Sequence, residues 1–391
     1  MPEELHTGTD ELPAPELDGA WQREIGGIRV LFGAGRLREL GRRAAELTGQ
    51  RVLLVTDPGL VACGHAAVAA DSLRQAGLEV HLFDAVSPNP TTLEVDAGTK
   101  FATGKSIEMI VAVGGGSAMD CAKGINFLLT NGGQMEDYWG FGKASRELLP
   151  AIGVPTTAGT GSDAQSYALI SHATTHRKMA CGDLKARFRI VILDPELLAT
   201  VPRQVAATAG MDALSHSLES YVTTARSPAS VPQSRLAFQL LEPAIESVAN
   251  ATDEGSPDAR RSALLGAHLA GAGIESSMLG AAHAAANPLT SRHGVAHGAA
   301  IGLMLPAVIR FNAVTEEALY RELWPAGSEA LAKRVEQIRH NLGLPATLAA
   351  VGIGSDDIAD LATRASDERT GRFNPRPLAT ADFEEMYASS K

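Results

Sequence analysis

MIVAVGGGSAMDCAKGINFLL, Met109 to Leu129, decides the fold. An unbroken apolar run leads into Gly114, Gly115, Gly116 and Ser117, and residues with helical spacing follow. The reading is a buried strand, a tight turn and a helix. Runs of the same kind lie on either side: RVLLVTD ending at Asp57, EVHLFD ending at Asp84, AIGVPTT ending at Thr157 and RIVILD ending at Asp194. Segments of one helix length separate them, such as Gly64 to Ala76 and Thr92 to Gly104. Strands alternating with helices predict an α/β unit with a largely parallel sheet. After Pro195 the β-branched runs stop, and Ala/Leu/Glu-rich stretches from Val205 to Thr224, Ser234 to Ala249 and Asp258 to Ala286 predict an all-helical second half. The expected division is an acidic tail over 1–20, an α/β nucleotide-binding domain over 21–194 and a helical domain over 195–391. The cleft between two such halves is a usual place for a small-molecule site.

The 391 residues are 45% hydrophobic and 20% charged, enough for sizeable cores. A net charge of -11, with no concentrated basic face, disfavours nucleic acid as a partner. The three cysteines, Cys63, Cys121 and Cys181, have no metal-knuckle spacing and suit a reducing compartment. The N-terminal stretch has neither the basic nor the apolar region of a secretion signal, and no uncharged apolar run of spanning length is found. The expectation is a cytoplasmic protein without a membrane partner.

Two loops have the make-up of a phosphate cradle. Glycines at a helix start let backbone N–H groups approach an anion, and the helix dipole favours its charge. GGGS fits that role, and it equally fits a plain strand-to-helix turn. PTTAGTGSD, Pro155 to Asp163, offers hydroxyls at Thr156, Thr157, Thr160 and Ser162 beside Gly159 and Gly161. Asp57 ends a strand, where a carboxylate accepts hydrogen bonds from a ribose diol and repels a 2′-phosphate, favouring NAD over NADP. A helix-start role before Pro58 and Gly59 remains its alternative.

Asp212 and His216 in GMDALSHSLESY stand four residues apart on good helix formers and share one face. His283 and His297 lie among small residues that leave room for a ring and an ion. One carboxylate and three imidazoles suit Fe(II) or Zn(II) with a position open to substrate.

VTDPGL, SPNPT, GGGSAMDCAK, PTTAGTGSD, ILDPELL, GMDALSHSLESY and NPRPL occur in that order. With them the chain resembles the iron-containing, group III alcohol dehydrogenases over nearly everything after its first twenty or so residues. The resemblance implies the dehydroquinate synthase-like fold of that family. It implies NAD contacts at Asp57, Asn89, Gly115, Gly116, Ser117, Thr156, Thr157 and Lys178, and metal ligands at Asp212, His216, His283 and His297. The family spaces its last two ligands by fourteen positions, as His283 and His297 are spaced. A rival register makes His293 the last ligand and sets Leu279 where an imidazole belongs. Many members carry a proton-relaying histidine one turn after the third ligand, where this chain has Asn287. An amide orients a hydroxyl without exchanging its proton, so His293 or a chain of water is the expected substitute.

The implied activity is hydride transfer between NAD(H) and a small alcohol or aldehyde, with the metal as Lewis acid on the substrate oxygen. A homodimer is the implied assembly. Relatives acting on phosphorylated substrates, glycerol-1-phosphate dehydrogenase and dehydroquinate synthase, need several cations, and Ser277 to Pro306 offers only Arg292. A non-catalytic oligomeric scaffold is the remaining alternative, motivated by Asn287.

Overall fold

The computed structural model describes residue 17 and residues 19–47, 49–250 and 256–390. The acidic tail falls outside the described residues except at its last few positions. The main sheet contains β1 (Trp21–Ile25), β2 (Ile28–Phe32), β3 (Arg51–Val55), β4 (Glu79–Phe83), β5 (Met109–Gly114), β7 (Ala151–Pro155) and β10 (Ile190–Leu193), in the order β1-β2-β10-β7-β5-β3-β4. A smaller sheet contains β6 (Gly140–Phe141), β8 (Tyr167–Ser171) and β9 (Lys178–Gly182), in the order β6-β9-β8. The main sheet is parallel apart from the β1–β2 hairpin. Each of the five apolar runs read from the sequence forms one of its strands.

Those runs are unbroken because helices cover both faces of the sheet. Alternation along β3 sends Val52 and Leu54 into one apolar cluster, Leu53 and Val55 into the other. The second cluster does not stop at the sheet: Ile110, Ala112 and Val191 share it with Met211, Leu214, Ile301 and Leu305 of the helical half. Among the described residues all the strands lie before Asp194, and the long segments after Pro202 are helical.

Two local features go beyond the sequence reading. The helical stretch Asp258 to Ala286 forms two helices, Pro257–Glu275 and Ala281–His293. Gly280 breaks the path with φ -141° and ψ -143°, and a Cβ there would lie 3.0 Å from both Asn374 Oδ1 and Glu219 Oε1. The small sheet went unread, since β8 and β9 are short, antiparallel and partly exposed. Helix His297–Leu323 is long and apolar enough to cross a membrane, with mean hydropathy 1.4 over its most apolar window. That window is 67% buried inside the fold, so the segment packs as a core helix.

Candidate metal and nucleotide site

Helix Arg203–Val222 is buried nearly throughout its last four turns, which brings polar side chains into the interior. Asp212, His216 and Glu219 follow at steps of four and three, one above the other on a single face. His283 comes from helix Ala281–His293 and His297 opens helix His297–Leu323. The last of these helices comes close because residue 298 is glycine: a Cβ there would overlap the Thr208 carbonyl.

Three imidazole nitrogens converge on one carboxylate oxygen. From Asp212 Oδ1, His216 Nε2 is 3.3 Å away and the Nε2 atoms of His283 and His297 are each 3.6 Å away. His216 Nε2 and His283 Nε2 are 3.1 Å apart, with their rings stacked at 4.9 Å between centroids. Asp212 Oδ1 is nonetheless buried without a hydrogen-bond partner. A buried carboxylate oxygen left unpaired among ring nitrogens is costly on its own and is the arrangement expected around a cation.

Protonation fits that use. Burial would raise the Asp212 pKa, but the neighbouring imidazoles hold it well below the carboxylate range. Burial pushes His216 down to about 4 and His297 down to about 3, leaving both neutral and able to ligate. His283 differs. Burial opposes its charge, yet the Glu219 carboxylate beside Nδ1, with help from Asp212, raises it to about 9. Glu219 Oε2 accepts from His283 Nδ1, and Glu219 Oε1 accepts from Ala282 N at 2.7 Å. A cation at Nε2 would displace that proton while Glu219 kept the Nδ1–H, the usual way a carboxylate orients a ligating imidazole. Sequence reasoning missed Glu219, although its position one face-step beyond His216 was a usable signal.

The competing histidine stands apart. His293 ends its helix ten residues after His283, about 15 Å along the axis, and lies near Asp360. His297 converges on Asp212, and His293 does not join that group among the described residues. Asn287, one turn past His283, donates from Nδ2 to Glu368 Oε2 at 2.8 Å. Arg292, the one cation read near the ligands, is paired with Asp360 at 2.9 Å.

The nucleotide candidates gather at the carboxyl ends of β3, β5 and β7. Asp57 Oδ1 accepts from Leu60 N at 3.1 Å, so its helix-start reading is realised. Its other oxygen would lie 3.3 Å from a Cβ on Gly114, placing the carboxylate against the glycine turn as well. Cβ atoms on Gly115 and Gly116 would meet Thr157 Oγ1 at 3.2 Å and Thr160 Oγ1 at 2.5 Å, so the two loops touch. Thr156 is buried between them, its N–H bonded to Gly114 O. Asn89, at φ 54°, donates its backbone N–H to Ser117 Oγ at 3.1 Å. Lys178 starts β9 with an exposed side chain, and its charge acts on both His297 and Glu368.

Behind the second loop lies a buried network unread from the sequence. Lys123 Nζ donates to the carbonyls of Ser162, Gln165 and Tyr167 at 2.6, 2.7 and 2.9 Å, and Asp120 accepts from Ser162 Oγ. His268 Nδ1 meets Asp163 Oδ2 at 2.6 Å. These contacts hold PTTAGTGSD in shape from below.

Glycine loops at the ends of parallel strands, the second of them bonded to His216 through Gly159, together with an Asp/His cluster on helices, are the parts expected of a metal-dependent nucleotide oxidoreductase. Residues 28–195 match the family model for iron-containing alcohol dehydrogenase, and residues 206–391 match that of the Fe-containing alcohol dehydrogenase family, C-terminal. The chain belongs to the iron-containing alcohol dehydrogenase family. It is 29% identical to the NAD-dependent methanol dehydrogenase of Bacillus methanolicus, over 92% of this chain and 97% of that one. It is 29% identical to lactaldehyde reductase of Escherichia coli K12, over 91% and 96%. The solved alcohol dehydrogenase from Oenococcus oeni superposes with a TM-score of 0.89 at 26% identity, covering 95% of this chain and 100% of that one. The chain is accordingly an oxidoreductase of the alcohol dehydrogenase class.

Proposed function

We propose that Asp212, His216, His283 and His297 hold one divalent metal, Fe(II) or Zn(II), at which a small alcohol is oxidised or a small aldehyde reduced with NAD(H). The convergence of three Nε2 atoms on the unpaired Asp212 Oδ1 carries this reading. When bound, the metal supplies Lewis acidity toward the substrate oxygen and the nicotinamide supplies the hydride site. The chain does the rest. Gly115, Gly116 and Ser117 offer backbone and hydroxyl donors to the pyrophosphate at a helix start, while Thr156 and Thr157 border it from the neighbouring strand end. Asp57 accepts from the ribose diol with its free oxygen, Asn89 holds Ser117 in place, and Lys178 sets a positive charge at the cleft mouth. Small residues around His283, Ala282 and Ala284 to Ala286, are all buried and exclude water from the ligand side.

The test is metal analysis of freshly purified protein, followed by NAD reduction with short alcohols after separate loading with iron and with zinc. The reading expects turnover with at least one metal and its loss in Asp212→Ala together with the metal. Turnover unchanged after complete metal removal would overturn it. The same reading carries a homodimer and a cytoplasmic location, which sedimentation and cell fractionation test.

A further inference from the structure

The family's usual proton-relaying imidazole is replaced here by Asn287, and the amide is committed to a carboxyl group from a distant part of the chain. Glu368 caps the end of helix Ile358–Asp367, 81 residues beyond Asn287. Asn287 lies four residues after His283, so it shares that ligand's helix face. Its Nδ2 is bonded to Glu368 Oε2, which leaves Asn287 Oδ1 free in that contact to accept from a hydroxyl or water.

We propose that Glu368 is the proton-accepting group of this site, standing in for the missing imidazole, with Asn287 as its positioning residue. The inference rests on the alcohol-oxidation reading above. In oxidation the alcohol O–H bond breaks and its proton passes through cleft water to the Glu368 carboxylate. The C–H electron pair leaves as hydride to NAD+, giving aldehyde, NADH and neutral Glu368. Glu368 then releases the proton to solvent, and aldehyde reduction runs the same transfers backwards.

The surroundings suit a group that must exchange protons. Burial raises the Glu368 pKa, opposed by the Asn287 hydrogen bond and by the charges of Lys178 and Arg177 from the small sheet. Asp367 on its own helix raises it further, and Tyr387 of the C-terminal helix feels its charge. His293 offers no comparable position, being about 15 Å along the helix from His283.

The experiment compares the parent protein with Glu368→Gln in the metal-loaded state. Expected is an about 100-fold lower kcat for oxidation, with loss of the acidic limb of its pH profile and unchanged NADH binding. Adding Asn287→His to Glu368→Gln should restore turnover, with a limb near the imidazole range, about pH 6.5. Infrared difference spectra should show one carboxyl band, titrating above the ordinary glutamate range in the parent, that disappears in Glu368→Gln. A Gln variant with parental kcat and pH limb would overturn the assignment while leaving the functional reading intact. Absence of any NAD-linked alcohol turnover in the parent would overturn that reading and this inference together.

Discussion

Glu219 grips His283 at two places: one oxygen accepts from the ring Nδ1 and the other from the backbone N–H of Ala282, next to the ring's own residue. Ring rotation and ring height are thereby fixed together. Glu219→Gln keeps the size and loses the charge that holds His283 as an Nδ1–H donor. Metal affinity should fall about 10- to 100-fold, read by competition with a chromophoric chelator. An unchanged affinity would remove Glu219 from the metal site.

Gly298 sets the distance between two ligand-bearing helices. Gly298→Ala places a methyl group against the Thr208 carbonyl, which is backbone and cannot swing aside. The expected cost is about 1–3 kcal/mol of stability. Because the displaced residue adjoins His297, metal binding should weaken as well. Denaturant titration and metal stoichiometry check the two halves of this expectation.

The metal-free protein should be most stable near pH 6.5. His216 and His297 sit at about 4 and 3 when folded, against about 6.5 when unfolded. Between about pH 4 and 6.5 the unfolded chain binds protons that the folded chain refuses, so stability rises with pH there. His283, held at about 9, works in the other direction. Its contribution is complete below about 6.5 and is lost as pH rises through 9. Each group changes stability by at most about 1.4 kcal/mol per pH unit. Melting temperatures of chelator-treated protein across this range would show a maximum, and a flat profile would contradict it.

Lys123→Met removes the buried ammonium shared by the carbonyls of Ser162 in the PTTAGTGSD loop, Gln165 just after it and Tyr167 at the start of β8. Leaving those acceptors unpaired and removing the positive charge beside Asp120 should cost about 3 kcal/mol. The PTTAGTGSD loop is what they hold, so NADH should also bind more weakly, as measured by fluorescence titration. Full retention of NADH affinity would make the network purely structural.

Legibility in the sequence followed the range of each interaction. The strands of the parallel sheet were readable because burial on both faces produces continuous apolar runs. Asp212 with His216 was readable because helical periodicity is local, and Glu219 obeyed the same periodicity but carried no motif of its own. The His297 and His293 registers differ only in which ring reaches Asp212, which depends on helix packing at Gly298. Asn287 with Glu368, and Lys123 with the loop carbonyls, join residues tens of positions apart through irregular backbone. No periodicity marks such pairs. The small sheet was hidden because its strands are short and apolar Tyr167, Leu169 and Ala180 stand at partly exposed positions, so burial alternates along β8 while hydrophobicity does not.

The apolar cluster shared by β5, β10 and the ligand helices bears on how the molecule comes apart. Exposing one half strips the inner surface of the other, and only the cluster on the far side of the sheet, with Val52 and Leu54, stays closed after separation. The change from strands to helices near Asp194 is then a boundary in architecture and not in cooperativity. Heating should give a single transition when followed through either half, and limited proteolysis should release no lasting nucleotide-binding fragment. Two resolved transitions would instead assign each half its own folding unit.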